Sequence, residues 1–270
     1  MALPERVGLF ALGGSKVKFI YKEHYHKGVV WSLFDGSGGA VIDWAKAGYL
    51  CLCFNAEGAD HGSYAEVITD HPNIHYVDYW IDPWFPQETF CMYPAPDFIL
   101  AFPPCTHLAV SGAAHFKKKL AKDPLIQINA VKDARVAEEL GEIYDCPWHV
   151  ENPVGVMSTL WRKPDYRFHP SEYGGYLPED DVNPWFPEFI APRDAYPKIT
   201  CGWVGNGFII PDTKPVPQIV DVVSGYSMQH AKLGGKSART KMIRSLTPRG
   251  WAKAVFLANE PVVRSRINGK

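Results

Sequence analysis

Asp97-Phe98-Ile99-Leu100-Ala101-Phe102-Pro103-Pro104-Cys105 is the stretch that decides the fold. Phe98 to Phe102 is an unbroken apolar run and reads as a buried strand. Two prolines follow, and proline cannot continue a hydrogen-bonded ladder, so the strand stops there. The stretch therefore delivers a thiol, on a stiff turn, to the end of a buried strand. In open α/β sheets the carboxyl ends of the strands face the crevice where ligands bind. Taken alone, Cys105 also has a plain reading as a buried cysteine, which is common. The neighbouring stretches raise the chemical one.

Upstream, Val29 to Phe34 is a second apolar run rich in strand formers. Asp35-Gly36-Ser37-Gly38-Gly39 follows, and then a helical pattern from Ala40 to Ala47 that Gly48 stops. Tyr49 to Phe54 and His75 to Asp78 read as further strands. Downstream, residues 113–121 suit a short helix or an ordered loop. Pro124 to Tyr144 predicts a long helix that buries Leu125, Ile128, Val131, Ala134, Val136 and Leu140. Cys146 to Val150 is a fifth strand, closed by Glu151-Asn152-Pro153. Strands alternating with helices predict βαβ units. The fold class is therefore α/β, with a Rossmann-like parallel sheet and helices on both faces.

Past Pro153 the pattern changes. Pro170, Pro178, Pro184, Pro187, Pro192 and Pro197 punctuate a stretch with little helical period, although Ile199 to Val204 predicts one returning strand. Ser245 to Asn259 predicts a closing helix with Thr247 as its N-cap and Pro248 at its first position. Met1 to Gly28 gives weak signals. The expected organisation is a catalytic core over 1–165, a small irregular recognition region over 166–240 that includes the returning strand, and a helix over 241–270 that rejoins the core.

Composition sets the bounds. The chain has 270 residues, 46% of them hydrophobic and 21% charged, enough for a large core. No run approaches the roughly 18 apolar residues of a membrane span, and Met1 to Val7 lacks the apolar centre of a secretory signal. The six cysteines form no CxxC pair, which argues for free thiols in a reducing compartment and against a zinc or other metal site. The expected setting is the cytoplasm, that of the host cell if the chain is phage-encoded. Net charge is −1, yet no acidic residue lies between Asp221 and Glu260, an interval that holds Lys232, Lys236, Arg239, Lys241, Arg244, Arg249 and Lys253. Lys117, Lys118, Lys119 and Lys122 form a second basic cluster. Basic patches favour a phosphate-bearing partner, although such runs also occur as ordinary solvated faces.

The residues at the predicted strand ends carry the chemistry. The glycine-rich turn 35–39 lets backbone approach a ligand closely, and it is neither a GxGxxG motif nor a P-loop. Asn55, Glu57 and Asp78 follow the second and third strands, where carboxylates can accept hydrogen bonds from a ribose or an adenine amine. Cys105 and Glu151 end the fourth and fifth. A thiolate beside a carboxylic acid suits nucleophilic attack on an aromatic ring whose nitrogen the acid protonates.

With these motifs in place, the chain resembles the DNA cytosine-C5 methyltransferases, and more narrowly the short phage-type DNA methylases. Phe34-Asp35-Gly36-Ser37-Gly38-Gly39, Pro103-Pro104-Cys105 and Glu151-Asn152-Pro153 carry the likeness in order, and Asp78 matches the acid that meets the cofactor adenine. Thr106 to Gly112, Gly155 to Thr159, Arg162 to Asp165, Lys198 to Trp203 and Arg244 to Pro248 carry the narrower one.

The resemblance implies S-adenosylmethionine as cofactor, with Phe34, Asp35, Gly36, Ser37, Gly38, Gly39, Asn55, Glu57, Asp78 and Pro103 around it. It implies DNA, duplex or single-stranded, as substrate, and no obligate protein partner. Cys105 would attack C6 of cytosine, Glu151 would hold N3 and the exocyclic amine, and C5 would take the methyl group. Pro104, Ser111, Asn152 and Pro153 would shape the base pocket, with Lys198 and Arg239 or Arg244 supplying its cationic support. Trp148 and Trp203 are expected in the core. Two other readings stand beside this one: the same chemistry on a free pyrimidine nucleotide, and a non-catalytic DNA- or cofactor-binding protein.

Overall fold

A computed structural model describes residues 27–58, 62–234 and 237–269. The weak lead-in up to residue 26 and Lys236 of the basic interval lie outside the described residues.

Seven strands form one sheet: β1 (Val29–Leu33), β2 (Leu50–Asn55), β3 (Ile74–Asp78), β4 (Phe98–Ala101), β5 (Trp148–Pro153), β6 (Tyr166–Phe168) and β7 (Thr200–Gly205). Their order across the sheet is β3-β2-β1-β4-β5-β7-β6. The first five run parallel, whereas β7 lies antiparallel to both β5 and β6. This is the predicted α/β fold class. The central strands are apolar on both faces because helices cover both. Trp31, Leu33, Leu52, Phe54, Ile99, Ala101 and Val150 pack on one side, against α4 (Ile126–Tyr144). Val30, Cys51, Cys53, Phe98 and Leu100 pack on the other, against α1 (Ile42–Lys46) and α8 (Arg249–Asn268). The alternation is the period of two that a strand imposes. Trp148 and Trp203 are buried, as expected.

The remaining helices are short: α2 (Phe85–Thr89), α3 (Phe116–Lys122), α5 (Met157–Leu160), α6 (Met228–Lys232) and α7 (Ala238–Ser245). A third apolar cluster joins Tyr64 and Val67 to Phe186, Ile190, Tyr196, Met242, Ile243 and Leu246. It fastens the irregular stretch and α7 beside the sheet.

Several expectations need correction. Leu125 and Ile128 are exposed, because the 19-residue α4 is longer than the sheet beneath it. At about 1.5 Å per residue it reaches about 28 Å, whereas four-residue β4 spans about 13 Å, so its first turns overhang. Strand β5 runs on through Glu151 to Pro153, because β7 pairs with it along its whole length. The closing helix starts at Arg249 with Pro248 as its N-cap, and Thr247 makes no cap. Asp194 takes the cap role from a distant turn: its Oδ2 accepts the N–H groups of Arg249 and Gly250. The Arg249 guanidinium in turn grips Asp181 through two bonds, of 2.8 and 2.7 Å. The helix also passes through Pro261, at the loss of one backbone bond, because Val263 beyond it is held in the core.

Candidate active site

Parallel pairing brings the carboxyl ends of β1 to β5 to one edge of the sheet. Antiparallel β7 brings its amino end to the same edge, with Pro153 opposite Thr200. Phe34, Asn55, Asp78, Cys105, Glu151 and Lys198 therefore lie along one rim.

Cys105 is held to the β5 end at two points. Ahead of it, the Asn152 Nδ2–H donates to the Pro103 carbonyl at 2.8 Å, and this bond is buried. Beyond it, Ala109 and Gly155 form an antiparallel bridge, with the Val110 N–H on the Val154 carbonyl and the Val156 N–H on the Leu108 carbonyl. Gly155 is required there, because a Cβ on it would overlap the Leu108 carbonyl oxygen. Between these clamps Cys105 opens a 3-10 turn, Cys105–His107, and its carbonyl accepts the N–H groups of Leu108 and Ala109. The thiol residue is half-buried and Pro104 is exposed. Lys119 of α3 donates to the Thr106 carbonyl at 2.7 Å, so one lysine of the basic cluster braces this loop.

Glu151 shares this edge, half-buried, and its Oε1 is enclosed with no hydrogen-bond partner among the described residues. Asn152 Oδ1 on the next residue is likewise buried and unmatched. Burial raises the Glu151 carboxyl above the usual range, with Lys198 pulling weakly the other way. The Tyr166 ring lies where a side chain on Gly202 would be, directly across from Glu151. The Tyr166 hydroxyl accepts from Trp251 Nε1 at 3.1 Å and meets His149 Nε2 at 2.9 Å. Burial lowers His149 to about 3, so it stays neutral beneath the acid.

The glycine turn is wired from within. Phe34 takes a left-handed φ of 59°, which bends the chain out of β1. Asp35 is buried and uses both carboxyl oxygens locally. Oδ2 accepts from the Ser32 hydroxyl, and Oδ1 from the Ser37 N–H, the Ser37 hydroxyl and the Gly38 N–H. Its direct role is to hold the turn. A side chain on Gly36 would run into the Tyr64 ring, and Gly38, at a φ of 67°, packs against the Tyr76 hydroxyl. Ser37 Oγ also accepts the Gly39 N–H. On the adjacent strand ends, Asp78 Oδ1 accepts the Glu57 N–H at 3.0 Å, and Asn55 sits opposite Asp78. Glu57 and Asp78 are exposed.

The other proposed substrate contacts separate. The Lys198 ammonium binds the Arg244 carbonyl at 3.0 Å and lies close enough to influence Glu151. The Arg244 guanidinium instead binds the Leu233 carbonyl at the end of α6, a structural task. Arg239 faces Glu66 at 3.6 Å and covers the Phe186 ring, in a separate cluster. Of the three cations, it is Lys198 whose charge acts on the acid. Ser111 is exposed on the 3-10 segment Val110–His115 that follows the Cys105 turn.

The sequence reading missed Tyr64. Its hydroxyl lies 2.9 Å from Ser245 Oγ, and burial pushes its phenol up to about 12, with Asp35, Cys105 and Glu57 adding to the rise. It thus sits among the glycine turn, the thiol and the start of the closing region. Tyr166 and Tyr196, both near Glu151, were missed as well. No local pattern marks these tyrosines, because strand pairing and the third apolar cluster bring them in from remote stretches.

No protein-family model and no curated protein matches the chain. Among solved structures, one match is a candidate DNA modification methyltransferase encoded within an E. coli prophage. It is 15% identical, with a TM-score of 0.39, over 70% of this chain and 52% of that one. The chain thus spans about half the length of that structure, and the match is too distant to give any residue a role. No helix among the described residues is long and apolar enough to cross a membrane.

Two outcomes follow from this geometry. In Gly155→Ala the Leu108 carbonyl must move and carry the Cys105 loop with it. The variant is expected to fold, by circular dichroism, while any reaction at Cys105 slows by roughly a hundredfold, as for an ångström-scale misplacement. Glu151→Gln removes a buried charge. Because the folded-state carboxyl is raised, the native chain holds its proton to higher pH than the unfolded one, so this group lowers stability as pH rises. The thermal midpoint should therefore rise on substitution more at roughly pH 8 than at roughly pH 4, where both states are largely protonated.

Proposed function

We propose that the protein transfers a methyl group to C5 of cytosine in DNA, with Cys105 as nucleophile and Glu151 as the acid that holds the base. The supporting observation is the double clamp that ties the Cys105 turn to the strand end bearing an enclosed, unmatched carboxyl oxygen. Burial raises the Glu151 carboxyl, which favours its protonated form and so the donation of a proton to a ring nitrogen. The neighbouring Asn152 Oδ1 adds an acceptor for an exocyclic amine.

The residues of the glycine turn fit S-adenosylmethionine. The donor set at residues 34–39, 55–57 and 78 contains carboxylates and backbone but no lysine or arginine, so it suits a cationic nucleoside better than a phosphate. Glu57 and Asp78 would hold the ribose and adenine, and the turn 36–39 would hold the methionine end. When bound, S-adenosylmethionine supplies an electrophilic methyl group.

The residues of the chain do the rest. The Cys105 thiolate forms a bond to C6, and Glu151 gives its proton to N3, so the electron pair of the C5–C6 double bond becomes available at C5. After C5 is substituted, loss of its proton to a base returns that pair to the ring, the sulfur–C6 bond breaks and the thiolate is restored, and N3 gives its proton back to Glu151. Lys117, Lys118, Lys122 and the lysines past Asp221 supply positive charge for phosphates. In a duplex the cytosine must leave the stack to reach this edge.

The test is methyl transfer from labelled cofactor to duplex DNA, single-stranded DNA and deoxycytidine monophosphate. Cys105→Ala should abolish transfer to DNA while cofactor binding by calorimetry persists. Undiminished transfer would remove the nucleophile from the scheme, and turnover confined to the nucleotide would replace the substrate.

A further inference from the structure

Tyr64 joins the glycine turn to the end of α7, and the bonds through it run in one direction. Its hydroxyl lies 2.9 Å from Oγ of Ser245, the last residue of α7. Ser245 has a single hydroxyl proton, which it donates to the Met242 carbonyl at 2.8 Å. Tyr64 is therefore the donor to Ser245. On its other side the buried Tyr64 ring fills the space over Gly36, where a Cβ would overlap it. The stretch around Tyr64 follows α7 from its start as well. A Cβ on Gly62 would come within 2.9 Å of the Ala238 Cβ, and Glu66 faces Arg239 at 3.6 Å.

The other contacts of the glycine turn do a different task. Asp35 sets its internal shape through the Ser37 and Gly38 N–H groups. The Thr69 N–H and the Tyr76 hydroxyl donate to the Ser37 carbonyl at 2.9 Å each, which ties the turn to the β3 side of the sheet. Tyr64 ties it to α7 instead, and the last turn of α7 has a second attachment. Arg244, next to Ser245, accepts the Lys198 ammonium on its carbonyl at 3.0 Å, and the Lys198 charge acts on Glu151. Two adjacent residues at one helix end thus hold the glycine turn by one bond and the support of the acid by the other. Cys105 lies within electrostatic range of the same phenol.

Resting on the reading of the protein as a DNA cytosine methyltransferase, we propose that Tyr64 is a positioning residue for methyl transfer, acting through Ser245 to register the glycine turn against the edge that carries Cys105 and Glu151. Transfer needs the donor methyl group aligned with C5, and misplacement by about an ångström costs roughly a hundredfold in rate. Asp35 shapes the site that receives the donor, and Tyr64 sets where that site stands relative to the base.

Two measurements test this. Tyr64→Phe keeps the ring over Gly36 and leaves Ser245 its bond to Met242, so the fold should persist by circular dichroism. In methyl transfer from labelled cofactor to duplex DNA, kcat should fall by roughly tenfold while KM for S-adenosylmethionine changes by less than about twofold. A loss confined to KM, or no loss, overturns the proposal. Ser245→Ala and the double variant complete a cycle. The double variant should be no slower than the slower single one, whereas losses that multiply mark two independent effects and overturn the proposal. The second measurement needs no turnover. In Tyr64→Phe, amide hydrogen exchange should quicken several-fold over residues 62–69 and 242–248, while the Ser37 and Gly38 amides bonded to Asp35 keep their rates. A uniform rise along the chain, or none, overturns the connection. The two readings fail separately. If the unaltered protein transfers no methyl group but exchange changes as stated, the chemistry falls and the connection stands. If Tyr64→Phe transfers at the unaltered rate, the positioning role falls and the chemistry stands.

Discussion

The side-by-side placement of β4 and β5 carries the rest of this structure. Parallel pairing alone brings the two strand ends level, with Ala101 opposite Val150. Beyond that point both chains leave regular structure, and nothing in a sheet ladder would keep a thiol loop near a carboxyl group. The Asn152 amide does so by donating to the Pro103 carbonyl, and the bridge at Ala109 and Gly155 does so again farther along. Each bond is worth only about 1 kcal/mol net, but opening the buried one leaves two polar groups unmatched at about 1–3 kcal/mol each. The prolines add stiffness without adding bonds, because their φ is fixed in the unfolded chain as well.

The same edge carries an arrangement that lowers folding stability. Glu151 stands among Tyr166, Tyr196 and Cys201 with one oxygen enclosed and unmatched, an arrangement that costs folding free energy. Beneath it the His149, Tyr166 and Trp251 side chains form a hydrogen-bonded group, and burial raises the acid above the usual carboxylate range. Asp35 shows the opposite solution. It is buried, but both its oxygens are matched, by the turn it organises and by Ser32 on the strand before it. The two carboxylates look alike in the sequence and differ in what surrounds them.

That contrast marks where the sequence is legible. Strands β1, β2, β3, β4 and β7 were readable within a residue or so; β1, β2 and β4 are buried on both faces and leave apolar runs, whereas edge strand β3 is marked only by its strand-forming residues. The order of Gly-rich turn, Cys105 and Glu151 along one edge followed from the βαβ alternation. Strand β6, only three residues long, left no such run. The N-terminal partner of α8 was invisible because Asp194 comes from a turn 55 residues away. Arg239 and Arg244 looked equivalent to Lys198 as cations, and only the packing of α6 and α7 separates them. Tyr64 is brought against the glycine turn by a cluster assembled from three distant stretches, which no period in the chain records.

Cytosine C5 methylation through a thiol adduct is tested most directly by stopping the reaction after the sulfur–carbon bond forms. Duplex DNA carrying 5-fluorocytosine has no C5 proton to lose, so the Cys105 bond to C6 cannot be released once C5 is substituted. Incubation with S-adenosylmethionine, denaturation and peptide mapping by mass spectrometry should find one DNA adduct, on Cys105, that forms only with cofactor present. No adduct, or one on exposed Cys91 instead, would contradict the chemistry assigned to this edge.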